Sequence, residues 1–271
     1  MVEHPSDRWE VGEAYEPYVG RWSRGVAREF IRWLGVSTGS RWLDVGCGTG
    51  ALTETILALA DPESVKGIDP SDGFISFAGK NLKDKRATFA RGDAVAIAED
   101  STSYDAVVAG LVLNFVPSPG IALAEFSRVA RPEGTVGVYV WDYAGEMQML
   151  RYFWDAVASL DPESSDLDEA ERFPICHPDG LLSLFQGAGL EGVGVRAIDV
   201  PTVFADFDDY WSPFLGGQGA APTYVASLSE ERRSELRERI EPTLPRDDDG
   251  SIHLIARAWA AKGRRPGSRD G

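Results

Sequence analysis

The chain has 271 residues, 43% hydrophobic and 26% charged, an ordinary globular composition that can bury a core without disulfide or metal staples. Its 43 acidic and 27 basic residues leave a formal charge of −16, which argues against nucleic acid and against an anionic membrane surface as partners. Two cysteines, Cys47 and Cys176, are too few for a disulfide framework, and the opening MVEHPSDRWEVGEAYEPY has no apolar leader, so a cytoplasmic chain is expected.

Residues 1–39 read as one or two helices, with Val26, Phe30, Ile31 and Leu34 on one face. Short β-rich runs then recur at Arg41–Val45, Ser64–Asp69, Ala87–Gly92, Tyr104–Leu113 and Thr135–Trp141. The stretches between them have helical spacing. Leu52, Ile56, Leu57 and Leu59 form a first helix that Pro62 ends. Phe74, Phe77, Ala78 and Leu82 form a second behind a Ser71 cap. Ile121–Val129 is a third, closed by the turn Arg131-Pro132-Glu133-Gly134. Strand–helix alternation predicts a parallel sheet with helices on both faces. The run Ala106–Leu113 is apolar without alternation, as a strand buried on both sides should be, and is far short of the roughly 20 residues of a membrane helix.

Residues 145–160 are expected to be helical, and the acidic stretch 161–172 a solvated loop or helix face. Leu181, Leu182, Leu184 and Phe185 predict a helix ending at Gly187-Ala188-Gly189. Gly192–Val200 and Ile252–Ala260 read as two late strands. The segment 201–248 between them is too long for a loop and is expected to be a helical insertion. The polar tail 263–271 is expected to be disordered.

The most informative run is Leu43-Asp44-Val45-Gly46-Cys47-Gly48-Thr49-Gly50, which leaves a strand and enters a helix. Glycines there let the backbone turn tightly and approach a ligand, and the helix N-terminus adds free N–H groups. Asp69 closes the second strand 19 residues after Gly50, where a carboxylate can hold ribose hydroxyls. Asp93 closes the third and can accept from an exocyclic adenine amine. Gly46-x-Gly48-x-x-Ala51 also fits a dinucleotide fingerprint, so an NAD(P)-dependent oxidoreductase is the alternative. Asp44, two residues before the first glycine, would repel a pyrophosphate and suit an ammonium group. No Tyr-x-x-x-Lys pair of a single-domain dehydrogenase is present.

Taken with Gly-Ile-Asp-Pro-Ser, Arg-Gly-Asp-Ala, Tyr-Asp-Ala-Val-Val and Phe-Ser-Arg-Val-Ala-Arg-Pro-Glu-Gly downstream, this run resembles a class I S-adenosylmethionine-dependent methyltransferase. The likeness is to the small-molecule group that includes quinone-biosynthesis enzymes, and it is strong over residues 40–142. It implies a Rossmann-like, doubly wound, mostly parallel seven-stranded α/β sheet. S-adenosyl-L-methionine is the implied cofactor and a small molecule the implied methyl acceptor. Gly46, Gly48 and Gly50, with Cys47 as a small packing residue among them, would pass beneath the methionine part. Asp44 would face its amino group through water, Asp69 with Pro70 beside it the ribose, Asp93 the adenine amine and Ala94 a backbone contact. Gly110 and Leu111 would lie beside the methionine, and Glu133 stands where the family commonly has glycine. A cofactor-binding protein without transferase activity remains a further reading, and monomer and homodimer are both open.

Each of these residues has a plainer role to weigh. Asp69 and Asp93 can cap turns, and His4, His177 and His253 show no metal spacing, so no metal site is expected. Asp142, Tyr143 and His177 are the candidates for a catalytic base. Tyr18 and Arg21 are expected to fold over the cofactor, Arg21 by pairing with a carboxylate. The expected organisation is a helical cover over 1–39, a cofactor domain of 40–200 plus 249–262, and a lid over 201–248. In that lid Phe207, Tyr210, Trp211 and Phe214, beside Gly216-Gly217-Gln218-Gly219, would line an acceptor pocket or pin the insertion to the sheet.

Overall fold

The computed structural model describes residues 21–216 and 219–267. Seven strands form one sheet in the order β3-β2-β1-β4-β5-β7-β6. They are β1 (Arg41–Val45), β2 (Ser64–Asp69), β3 (Ala87–Arg91), β4 (Tyr104–Gly110), β5 (Ala130–Trp141), β6 (Glu191–Phe204) and β7 (Ile252–Arg264). β1 to β5 are mutually parallel, and β7 alone runs antiparallel, between β5 and β6. The direction of winding reverses between β1 and β4, and a crevice opens at the carboxyl ends of such a pair. Ala106, Val107, Val108 and Ala109 of β4 are all buried, as the unbroken apolar run requires.

The helices in chain order are α1 (Arg21–Leu34), α2 (Ala51–Leu59), α3 (Asp72–Asn81), α4 (Pro119–Val129), α5 (Gln148–Leu160), α6 (Glu169–Arg172) and α7 (Pro178–Gly187). The insertion adds α8 (Phe207–Trp211), α9 (Ala220–Ser227) and α10 (Glu230–Ile240). α1 buries Val26, Phe30, Ile31 and Leu34. It lies close on β5 because Gly137 has no side chain: a Cβ there would sit 2.7 Å from Leu34 and 3.0 Å from Phe30. Ser71 caps α3 by accepting from the Phe74 amide at 3.3 Å. No described helix is long and apolar enough to cross a membrane.

Four stretches depart from the sequence expectation. The Arg131–Gly134 turn is absorbed into β5, where pairing with β4 shifts register between Tyr104 and Ala106. Glu133 there has φ 62°, a left-handed conformation that explains glycine as the family's usual choice. The late strands are longer than their apolar runs, so the insertion begins after Phe204. Residues 263–265, expected in the tail, belong to the sheet: β7 reaches Arg264, and the Arg265 guanidinium donates to the carbonyls of Arg128 and Ala130. Residues 268–271 lie outside the described residues. In the acidic stretch Glu169 is buried and accepts from the Trp154 indole at 2.6 Å, while Asp168 pairs with Arg151 at 2.7 Å. Burial pushes the Glu169 carboxyl up to about 7.

Candidate functional site

A cavity of about 900 Å³ opens at the carboxyl ends of β1, β2 and β4, at the winding reversal. Its floor is the glycine loop, tied to β2 by the Gly46 and Cys47 amides, which both donate to the Ile68 carbonyl at 2.7 and 3.0 Å. Gly46, Gly48 and Gly50 have φ of 70°, 51° and 90°, a path that L side chains resist. Their surroundings differ. A Cβ on Gly46 would meet Val112 at 2.5 Å, whereas one on Gly48 would meet none of the described residues within 4 Å. Gly50 is the N-cap of α2 and faces Ala78 and Phe89, and it is not part of the lining. The expectation that Gly50 passes under the ligand is corrected: it serves the close approach of helix to strand.

The three strand-tip carboxylates all line the cavity. Asp69 is held by the Gly48 amide on one oxygen (3.0 Å) and the Ser71 amide on the other (2.9 Å). Burial raises its pKa against those two hydrogen bonds. Asp69 therefore caps a turn and faces the cavity at once. Asp93 does the same, accepting from the Val95 amide at 3.0 Å, with Ala94 beside it.

Asp44 is buried at the end of β1. One oxygen accepts from the Thr53 hydroxyl at 2.7 Å, and the other, Oδ1, has no partner among the described residues. Burial pushes the carboxyl up to about 7 against the lowering by Thr53, and the nearby Asp69 adds to the rise. A buried carboxylate oxygen left without a donor is costly unless a donor arrives. The Cys47 sulfur points away, 2.9 Å from where a Gly67 Cβ would stand, and burial raises its thiol pKa, so it is a packing residue.

β4 ends at Gly110, and Leu111 turns sharply with φ 60° while its amide donates to the Tyr139 carbonyl at 2.8 Å. That turn sends Val112, Phe115, Val116 and Pro117 across one side of the cavity as an apolar wall. Phe115 is backed edge-on by Phe173 at 5.1 Å. Ser23 of α1, Thr49, Phe74 and Tyr139 complete the parts that the sequence reading missed. The segment after the β4 tip was findable from topology. Tyr139 was not, since only register places it opposite Gly110.

Residues 43–138 match the family described as "Methyltransferase domain". A demethylmenaquinone methyltransferase of Lactobacillus johnsonii is 32% identical over 148 residues, covering 53% of this chain and 60% of its own length. The sterol 24-C-methyltransferase erg6 of Schizosaccharomyces pombe is 32% identical over 138 residues, 49% of this chain and 35% of its own. The chain thus spans less than two thirds of these relatives. Over residues 43–138 the chain carries a methyltransferase domain. The fold extends the match: a phosphoethanolamine N-methyltransferase 2 of Haemonchus contortus with S-adenosyl-L-methionine superposes with a TM-score of 0.55 at 17% identity, over 89% of this chain and 52% of that one. The dinucleotide reading gives way to the family match.

The three candidate bases lie outside the cavity lining. Asp142 accepts from the Gly145 and Glu146 amides at 3.1 and 3.0 Å, which holds the turn after β5. Tyr143 is buried against Phe173 at 5.8 Å. His177 caps α7, its Nδ1 accepting from the Asp179 amide at 3.4 Å. The insertion's aromatics are turned into the core as well. Phe214 stacks on Phe153 at 4.5 Å, the Tyr210 hydroxyl donates to the Met149 carbonyl at 2.8 Å, and Phe207 and Trp211 are buried beside them. An aromatic pocket-lining lid is therefore corrected to a second wing of the core. His4, Tyr18 and the Arg21 side chain fall outside the described residues.

Proposed function

We propose that this chain transfers the methyl group of S-adenosylmethionine to a small, largely apolar acceptor. The observation that carries the reading is the buried Asp44 Oδ1, unpartnered among the described residues, above an open glycine loop: it asks for a cationic donor, which the methionine ammonium supplies. Gly48, whose missing Cβ leaves the loop surface clear, fits the methionine chain. Asp69, pre-set by two amides, suits the ribose hydroxyls with Pro70 beside it. Asp93 and Ala94 suit the adenine edge, and Gly110 with Leu111 the methionine.

Bound there, the cofactor supplies an electrophilic methyl on a sulfonium. The protein's share is alignment and exclusion of water. The wall of Leu111, Val112, Phe115, Val116 and Pro117 suits an apolar acceptor. The charged side chains of the described lining are all carboxylates, Asp44, Asp69 and Asp93, which disfavours an anionic one. The names of the two relatives, for demethylmenaquinone and a sterol, point the same way. The nucleophile in this displacement is an atom of the acceptor itself. Free buried thiols at Cys47 and Cys176 suit a reducing compartment, and we assign the protein to the cytoplasm.

Calorimetry with S-adenosylhomocysteine, NAD and NADP tests the cofactor, and a screen of neutral apolar against phosphorylated acceptors tests the rest. Binding of S-adenosylhomocysteine alone and turnover with neutral acceptors are expected. Binding of NAD, or turnover confined to phosphorylated acceptors, overturns the reading.

A further inference from the structure

We infer that the Tyr139 phenol is a ligand-binding group that holds the carboxylate at the amino-acid end of the cofactor, an inference that rests on the S-adenosylmethionine reading above. Tyr139 lies on β5, only 3% exposed, and lines the cavity. Its ring is fixed from behind by Phe30 of α1, edge-on at 4.9 Å. It pairs with Gly110 across the β4–β5 ladder, and its hydroxyl reaches over the β4 tip: a Cβ on Gly110 would stand 2.4 Å from that oxygen. The bare glycine is what leaves room for the phenol.

Asp44 occupies the same face of the sheet. It pairs with Val108, and Val108 and Gly110 are two residues apart on one strand, so they point to one side. The phenol therefore leans from β5 over β4 toward the strand that carries Asp44. Neighbouring strands are about 4.8 Å apart. An α-amino acid carries its ammonium and its carboxylate on one carbon. With the ammonium at Asp44, a carboxylate turned toward β4 and β5 would meet the phenol, and Ser23 of α1 adds a second hydroxyl to the lining. Among the described lining residues no side chain is cationic, so the donors there that can meet a negative charge are backbone amides and hydroxyls, of which the Tyr139 phenol is one.

Tyr139→Phe keeps the ring against Phe30 and removes one oxygen. Calorimetry compares S-adenosylhomocysteine with 5′-methylthioadenosine, which has the same adenosine and thioether but no amino-acid end. S-adenosylhomocysteine should bind about tenfold more weakly to the variant, the scale of a hydrogen bond to a charged group. Binding of 5′-methylthioadenosine should not change, and thermal unfolding should match the parent. Unchanged binding of both ligands, or an equal loss for both, overturns the inference and leaves Tyr139 as packing. Failure of the parent protein to bind S-adenosylhomocysteine overturns the cofactor reading itself, which separates the two.

Discussion

The two halves of this sheet use the same kinds of residue in opposite ways. On the β1–β4 side, polar side chains at the strand tips are buried yet face open space: Asp44 and Asp69 line a cavity of about 900 Å³. In the insertion that follows β6, aromatic side chains are equally buried but pack into the core and lie outside the cavity lining. Phe153 stacks on Phe214, and Tyr210 packs against Phe214 at a tilt there. Burial alone therefore does not mark a functional residue. A missing partner beside a cavity does: Asp44, whose Oδ1 has none among the described residues, lines the cavity, whereas the Tyr210 hydroxyl is satisfied by the Met149 carbonyl and the unpartnered Thr202 hydroxyl and Trp259 indole lie outside the lining.

The sharpest way to break this contrast is in the aromatic wing. Phe214→Ala should lower unfolding free energy by about 3–5 kcal/mol, as a large cavity in a packed core does, and leave S-adenosylhomocysteine affinity within about twofold. Denaturant unfolding and calorimetry on the same sample check it. A variant of normal stability that had lost acceptor turnover would return the insertion to the pocket.

In the cofactor half the expected pattern is the reverse. Asp69→Ala should cost about 1.5–3 kcal/mol in S-adenosylhomocysteine affinity. Circular dichroism should stay native. If affinity holds in a folded variant, Asp69 only caps its turn.

A smaller effect separates the halves by pH. Asp44 is held near 7 in the free protein, and a bound ammonium favours its ionised form, so binding should release a proton. Affinity should then fall about tenfold from pH 8 to pH 6, and Asp44→Asn should flatten the profile. The same raised pKa values act on stability. Asp44 and Glu169, both raised to about 7 from 3.8 and 4.5, keep protons in the folded state that the unfolded chain has lost. Their contribution is full below the unfolded values and is lost as pH rises through about 7. Ligand should offset that loss at Asp44 and leave it untouched at Glu169, which urea titrations at pH 5 and pH 8 with and without S-adenosylhomocysteine can show. The smallest change is expected at His177→Ala, where a long 3.4 Å cap on α7 is removed. About 0.5 kcal/mol of stability should go, and ligand affinity should not move. Any loss of turnover there would reinstate His177 as a base.

Much of the cofactor half was legible before the fold was known, because its signals are local. Glycines at positive φ, a carboxylate at each strand tip and a doubly buried strand all follow from rules that span a few residues, and β1 and β2 fall at the expected residues. Local rules gave the wrong role where one residue type serves two ends. Gly50 resembles Gly48 in sequence, yet a Cβ on one would face helix α3 and strand β3 and a Cβ on the other none of the described residues within 4 Å. Asp142 resembles Asp44, yet its carboxylate is taken by the amides of its own turn.

The sequence by itself determined the strand–helix alternation, the glycine loop with its three acidic strand tips, and hence the methyltransferase domain. Those depend on backbone geometry and hydrophobic period, which neighbours in the chain set. Only the tertiary structure decided which buried groups are partnered. It turned the insertion's aromatics inward, gave Glu169 a tryptophan and brought the Tyr139 hydroxyl over Gly110. Those outcomes hang on register between strands distant in sequence and on helix–sheet packing, and no periodicity along one chain segment encodes the space left between two others.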